Sequence, residues 1–192
     1  IWPNSKTQTI KKVALNTTIN LSIADAKSDY VLKTTQPKAL LKEVKSNFVA
    51  HKENDYIDFD YEGLISKMLS QEGPSLAVGD INGDGNEDVF IGGAKGQSGK
   101  IYINKGNNSF SVTAQKDLDT DANFEDTAAG FFDADGDGDL DLLVGSGGNE
   151  RTSSVNYQNR LYLNNGKGAF VKSSAIIPSA NTNVSVIAPY DF

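Results

Sequence analysis

From residue 75 onward the chain repeats itself, and no other feature restricts its fold as strongly. The first unit is Ser75–Val112 and the second is Ala128–Val171. Each opens with an apolar run, Ser75–Gly79 or Ala128–Phe132, and passes through an acidic loop, Asp80–Asp88 or Asp133–Asp141. A second apolar run follows, Asp88–Gly92 or Asp141–Gly145, then a Gly-rich turn and a third run, Lys100–Asn104 or Arg160–Asn164. A further turn, Lys105-Gly106-Asn107-Asn108 or Asn165-Gly166-Lys167-Gly168, leads to a fourth, Ser109–Thr113 or Ala169–Lys172. Short apolar runs bounded by Gly, Asn and Asp read as strands. Asp80 and Asp133 stand 53 positions apart, and Asp191 follows Asp133 by 58, so Asp191 is expected to open another copy.

Four short antiparallel strands per unit match one blade of a β-propeller. The expected fold class is all-β: about two four-stranded propeller blades, 73–126 and 127–180, with the first strand of a third over 181–192. The chain opens on Ile1-Trp2-Pro3 and closes on Val186–Phe192 running into Asp191, which reads as a segment of a longer protein and a fragment of a larger propeller.

The two loops also hold the protein's acidity. The chain carries 25 Asp and Glu against 18 Lys and Arg, a net charge of −7. Four of the acids lie in Asp80–Asp88 and five in Asp133–Asp141, with no base in either; without them the balance is 16 acids to 18 bases. Carboxylates crowded this closely repel one another unless a cation sits among them. Loop one places Asp80, Asn82, Asp84 and Asp88 at positions 1, 3, 5 and 9, with Gly85 at 6 and Asn86 at 7. Loop two places Asp133, Asp135, Asp137 and Asp141 at the same positions, with Gly138 at 6 and Asp139 at 7. Side chains at 1, 3 and 5 turn inward when the chain coils around an ion, and the carbonyls of Asn86 and Asp139 at 7 are expected to face it. An all-oxygen cage suits Ca²⁺, whereas zinc would want His or Cys. An EF-hand closes with Glu at position 12; here position 12 is Ile91 or Val144, so Asp88 and Asp141 must supply the closing carboxylate.

Asp80–Asp88 with Val89-Phe90-Ile91-Gly92-Gly93-Ala94, and Asp133–Asp141 with Leu142-Leu143-Val144-Gly145, resemble FG-GAP/VCBS repeats, the family that includes the integrin α-subunit propeller. The resemblance implies calcium bound between the first two strands of each blade. Where the family's namesake motif carries Pro after Gly-Ala, this chain has Lys95, and the second copy has Ser146. Near the N-terminus, Trp2-Pro3-Asn4-Ser5-Lys6-Thr7-Gln8-Thr9-Ile10 and Asn16-Thr17-Thr18-Ile19 are similar to the end of the ASPIC/UnbV domain, with Ser5 in place of its Gly. That resemblance implies a remnant of such a domain over 1–30, followed by a connector over 31–72.

Elsewhere the expectations are local. Period-two alternation over Gln8–Ala14 and Thr17–Ala24 predicts a β-hairpin turning at Leu15-Asn16. Pro37–Val44 and Tyr61–Leu69 are predicted as short helices, and Val184–Tyr190 as a strand prone to pair out of place. Tyr56, Phe59 and Tyr61 are expected to line one face of a core β segment. Tyr102 and Tyr162, at equivalent places in the two units, are expected to pack blades. His51, the single histidine, lies near Asp55, Asp58 and Asp60; a His–carboxylate pair without a nucleophile motif reads as surface or packing. Gly92–Gly96 lacks Gly-Lys-Ser/Thr and precedes a strand, so it is not a phosphate loop. The longer turn Gly147–Asn159, with Glu150, Arg151, Ser153 and Ser154, marks a loop of the kind that meets ligands.

Composition narrows the function further. The chain has no Cys, which excludes disulfide scaffolds, thiolate zinc sites and thiol catalysis. The acidic balance argues against nucleic acid, and no apolar run is long enough to span a membrane. A secretory leader, with its basic start and apolar stretch, is expected to lie outside this segment. The expected function is a calcium-binding, non-catalytic extracellular or cell-surface module for binding or adhesion to a protein or glycan. Self-association of the segment is a further expectation. The alternatives are the propeller portion of a secreted carbohydrate-active enzyme, or a structural spacer in a large surface protein; a pocket of converging acids or His would mark the enzyme.

Overall fold

The computed structural model describes residues 1–31, 39–41, 43–107, 109–150, 157–174, 177 and 183–189. Two compact units divide the chain, Ile1–Val44 and Lys45–Phe192.

In the first unit, β1 (Lys6–Thr7) pairs antiparallel with β2 (Ser28–Asp29). Lys6 Nζ closes the pair on Asp29 Oδ1 at 2.7 Å. A 3-10 turn over Ile23–Asp25 is capped by Ser22 Oγ, which accepts from the Ala24 amide at 3.3 Å. The predicted hairpin over Gln8–Ala14 and Thr17–Ala24 does not form. Lys12 (φ 58°) and Asn16 (φ 60°) take left-handed conformations that interrupt extended chain. Alternation drives strand pairing only when one face is buried, and here Ile10, Val13, Leu15, Ile19 and Leu21 are all exposed. Residues 37, 38 and 42 of the predicted Pro37–Val44 helix lie outside the described residues, and the others are not helical.

The second unit holds two four-stranded antiparallel meanders. The first runs β3 (Leu76–Gly79), β4 (Asp88–Ile91), β5 (Lys100–Asn104) and β6 (Phe110–Thr113) in that order. A short helix, α1 (Lys116–Thr120), follows. The second runs β7 (Asp126–Phe132), β8 (Asp141–Ser146), β9 (Arg160–Asn164) and β10 (Phe170–Lys172). All eight strands fall within about two residues of the predicted runs. The fold class is therefore the all-β one expected, with two propeller-type blades.

The pleat sorts the core. Ala77, Phe90 and Ile101 stand opposite one another across blade one, and Phe131, Leu142 and Tyr162 across blade two. These two faces meet, and with Ile81, Ile103, Leu118, Val144 and Phe170 they form the core between the blades. Fully burying a side chain of this size stabilises by about 1.5–3 kcal/mol. Helix α1 was not predicted, because its five residues offer a single apolar side chain. It forms because Leu118 is buried in this core. Gln115 just before it donates to the Gly168 carbonyl at 2.7 Å and accepts from the Phe170 amide at 3.0 Å.

Tyr102 and Tyr162 are both buried and occupy the same face of their own blades, but only Tyr162 packs blade on blade as expected. The Tyr162 face packs on blade one. On blade one the equivalent face is covered by the chain just before it. Phe48 meets the Tyr102 ring edge-on at 4.7 Å, and the Val49 amide donates to Tyr102 Oη at 2.9 Å. Asn47 Nδ2 donates to the Phe110 carbonyl at 2.8 Å. The segment 47–49 thus holds, for blade one, the position that blade one holds for blade two.

Blade two's other face is met by residues 184–189. The Val184 amide donates to the Ser146 carbonyl at 3.1 Å, and Ile187 and Pro189 lie against Gly130. Residues 184–189 are not a strand, contrary to expectation: they pack by side chains onto a sheet face instead of pairing along an edge. Tyr190 and the predicted opening of another copy, Asp191-Phe192, lie outside the described residues.

The predicted Tyr61–Leu69 helix is also absent; a 3-10 turn at Asp58–Asp60 and a series of bends take its place. Buried Asp58 accepts from Ser70 twice, from N at 3.1 Å and from Oγ at 2.6 Å. Those residues would be about 18 Å apart along a helix, so the carboxylate closes a loop instead. Tyr56 and Tyr61 stack in parallel with centroids 5.3 Å apart, but Phe59 and Tyr61 are exposed and no strand runs through them. They are not the core face expected of them.

Candidate metal centre

Both acidic loops span the turn between the first two strands of a blade. Asp80 follows β3 and Asp88 opens β4; Asp133 follows β7 and Asp141 opens β8. Strand pairing thereby fixes position 9, and both side chains there are buried. Asp88 accepts from the Ile81 amide at 3.2 Å and the Asn104 amide at 2.7 Å. Asp141 accepts from the Ala134 amide at 2.9 Å and the Asn164 amide at 2.8 Å. Each oxygen takes one N–H and keeps a lone pair for a ligand.

The rest of the loop repeats with the same fidelity. Asp80 accepts from the amides of Gly83 and Gly85, both at 2.8 Å. Asp133 accepts from those of Gly136 and Gly138, at 2.7 and 3.0 Å. Asn82 and Asp135 at position 3 accept from the amides of Asp84 and Asp137. Asp84 and Asp137 at position 5 accept from those of Asn86 and Asp139. The coil requires left-handed backbone at positions 4 and 6: φ is 72° and 84° at Gly83 and Gly85, and 83° and 92° at Gly136 and Gly138. The sequence reading had position 6 and missed position 4. It also missed Asn104 and Asn164, although the recurring Tyr-x-Asn of the third strands was a signal for them.

The loops differ in charge. In loop one, amide hydrogens reach Asp84 from Asn82 Nδ2 at 3.2 Å and Asn86 Nδ2 at 2.9 Å. The Asn86 backbone and side-chain amides hold the Asp84 carboxyl below its ordinary range. Loop two has acids where loop one has these amides. Desolvation, then the charges of Asp137, Asp141 and Asp133, push Asp135 up. Desolvation, then Asp137, Asp141 and Asp135, push Asp139 up.

Carboxylate oxygens of Asp133, Asp135 and Asp141 all lie within 4.8 Å of one another, and no other such trio of acids, His or Cys occurs among the described residues. Two oxygens each 2.3–2.6 Å from one Ca²⁺ are at most about 5 Å apart, so one ion fits among the three. Asp139 Oδ1 is buried without a hydrogen-bond partner. The donors are all oxygen, and position 12 is hydrophobic strand, Ile91 in β4 and Val144 in β8. The residues present therefore fit a hard cation held without an EF-hand glutamate.

The other singled-out residues do not join this site. His51 Nε2 meets Glu53 at 2.8 Å. In the long turn of blade two, Glu150 is buried against Lys95 Nζ at 2.5 Å and also meets Asn54. Asn149 donates to Asp58 at 3.1 Å and to Glu62 at 3.0 Å. This end of the turn ties blade two to the 45–72 segment. Arg151, Ser153 and Ser154 lie outside the described residues.

Two blade-type sheets with an acidic coil between the first two strands of each define a β-propeller module. The family model described as FG-GAP-like repeat matches residues 75–144, which take in blade one and the first two strands of blade two. The matched stretch, less than half of the chain, is similar to an FG-GAP-like repeat and includes both acidic loops. A search of curated proteins found none that matches.

Proposed function

We propose that each acidic loop holds one Ca²⁺ and that the blades form a non-catalytic module that binds a protein or glycan at the cell surface or outside the cell. The observations that support the calcium reading are the acidic coil repeated with the same spacing in both blades and, in loop two, the convergence of Asp133, Asp135 and Asp141. Asp80, Asn82, Asp84 and Asp88 would hold one ion, and Asp133, Asp135, Asp137 and Asp141 the other. The carbonyls of Asn86 and Asp139 would complete the shells. The ion would supply charge neutralisation and would brace the turn between two strands. A groove of about 650 Å³ beside loop two, lined by Phe132, Asp133, Leu143, Ile187 and Pro189 among others, offers a place for a partner next to the ion.

Calorimetric titration of the chain with CaCl₂ tests the reading. Two ions per chain are expected, and Asp137→Ala should remove one. Extracellular calcium modules bind at about 10⁻⁴–10⁻³ M. No heat of binding at millimolar calcium would defeat the proposal. Glycan-array and cell-surface binding, with and without chelator, test the partner class.

A further inference from the structure

We infer that the two loops bind their ions cooperatively and that Asn164 is the residue that couples them. This rests on the calcium reading above. Three hydrogen bonds, joined through the covalent frames of Ile81 and Asn164, link one closing carboxylate to the other. Asp88 Oδ2 accepts from the Ile81 amide at 3.2 Å. The Ile81 carbonyl accepts from Asn164 Nδ2 at 2.7 Å. The Asn164 backbone amide donates to Asp141 Oδ1 at 2.8 Å. Asn164 Nδ2 also reaches the carbonyl of Leu140, one residue before Asp141, at 3.0 Å.

Blade one shows which of these contacts is special. Asn104 is the counterpart of Asn164. Its amide donates to Asp88 at 2.7 Å and its Nδ2 to the Glu87 carbonyl at 3.1 Å. Both contacts stay within blade one. Asn164 makes the same two contacts in blade two and adds the bond to Ile81 in the neighbouring blade. Neither end of that bond is free to swing. The Ile81 side chain is buried in the core between the blades. Asn164 is buried, and its Oδ1 accepts from the Gly168 amide at 3.1 Å.

An ion in loop one fixes Asp88, and with it the Ile81 amide. The Ile81 carbonyl then holds the Asn164 side chain, whose backbone amide positions Asp141. The second ion meets a loop that is already ordered, so it binds more tightly. Linkage makes the effect reciprocal. Asn164 acts as a positioning residue and does not touch the ion.

Calorimetric CaCl₂ titration of the full chain and its variants tests this. Asp84→Ala, which disables loop one, should weaken loop two about fivefold or more, and Asp137→Ala should weaken loop one by the same factor. In an Asn164→Ala background the cross-effect should vanish. Asn104→Ala, the matched control, should weaken loop one and leave the coupling in place. Should Asn164→Ala not fold, the Ile81 amide resonance supplies the readout: in Asp84→Ala it should shift when calcium fills loop two. Two ions bound with no cross-effect and no Ile81 shift would overturn the coupling and leave the calcium reading standing. A cross-effect that persists in Asn164→Ala would overturn the role of Asn164. No binding in any variant would overturn both.

Discussion

Arg160 of β9 and Asp126 at the start of β7 form an ion pair in which both side chains are more than nine-tenths buried. Asp126 also accepts from the Gly93 amide of blade one at 2.9 Å. Arg160 also donates to Ser146 Oγ at 3.1 Å and lies 4.3 Å over the Phe124 ring. The pair thus sits where the Gly-rich turn of blade one meets blade two. Removing one member leaves the other charge buried and unpaired, at a cost of about 3–5 kcal/mol. Arg160→Met should lower the urea midpoint accordingly, and Arg160→Met with Asp126→Asn should recover part of the loss. A single variant within about 0.5 kcal/mol of the parent would show that water reaches the pair.

Glu125, next in the chain, should make stability depend on pH. Burial, then the charges of Glu53, Glu150 and Asp126, raise its carboxyl from 4.5 to about 7, against the Lys95 amide that donates to it. The Lys95 ammonium is paired with Glu150. Between about 4.5 and 7 the folded chain holds a proton that the unfolded chain releases, so stability falls as pH rises through that window. The full shift corresponds to about 3 kcal/mol, and solvent screening at this half-buried site reduces it to roughly 1 kcal/mol. Glu125→Gln should melt higher than the parent at pH 8 and level with it at pH 4. A parent and variant with parallel profiles across that range would rule the effect out.

Gly93 and Gly63 should respond very differently to alanine. A Cβ on Gly93 would lie 1.8 Å from the Gln97 carbonyl oxygen, a backbone atom that cannot turn aside, whereas one on Gly63 meets nothing within 4 Å. Overpacking of this kind costs about 1–3 kcal/mol or more. Gly93→Ala should reach the upper end of that range in denaturant unfolding, and Gly63→Ala should stay within about 0.5 kcal/mol of the parent. Equal midpoints for the two variants would contradict the close turn at Gly93.

Loop two should bind calcium more tightly than loop one. Ligand charge tunes affinity in such sites, and loop two has Asp135 and Asp139 where loop one has Asn82 and Asn86. The tighter of two calorimetric constants should disappear in Asp137→Ala. At ten times the dissociation constant each ion adds about 1.4 kcal/mol, or a rise of about 3–6 °C in Tm for a chain of this size. Chelator should reverse the rise. Loss of the weaker constant in Asp137→Ala would invert the order.

The repeat made the eight blade strands and both loops legible, because their signals are local. A run of apolar residues, a Gly at the turn and acids at alternate positions each act within about nine residues, and two copies confirmed each other. The same local logic failed in residues 8–24, where alternation was present without a sheet to bury it. It failed again at Tyr61–Leu69, where buried Asp58 binds Ser70 and closes a loop.

By itself the sequence determined the strand order within each blade, the acid spacing of the two loops and the glycine demand at position 6 of each, since pleat and backbone sterics operate between neighbours in the chain. Only the tertiary structure decided which blade faces meet, that Phe48 and Val49 cover Tyr102, that Arg160 pairs with Asp126, and that Asn164 reaches Ile81. The last three join residues 53, 34 and 83 positions apart. No local pattern encodes such contacts: each exists because burial brings two distant polar groups together and removes the water that would otherwise satisfy them.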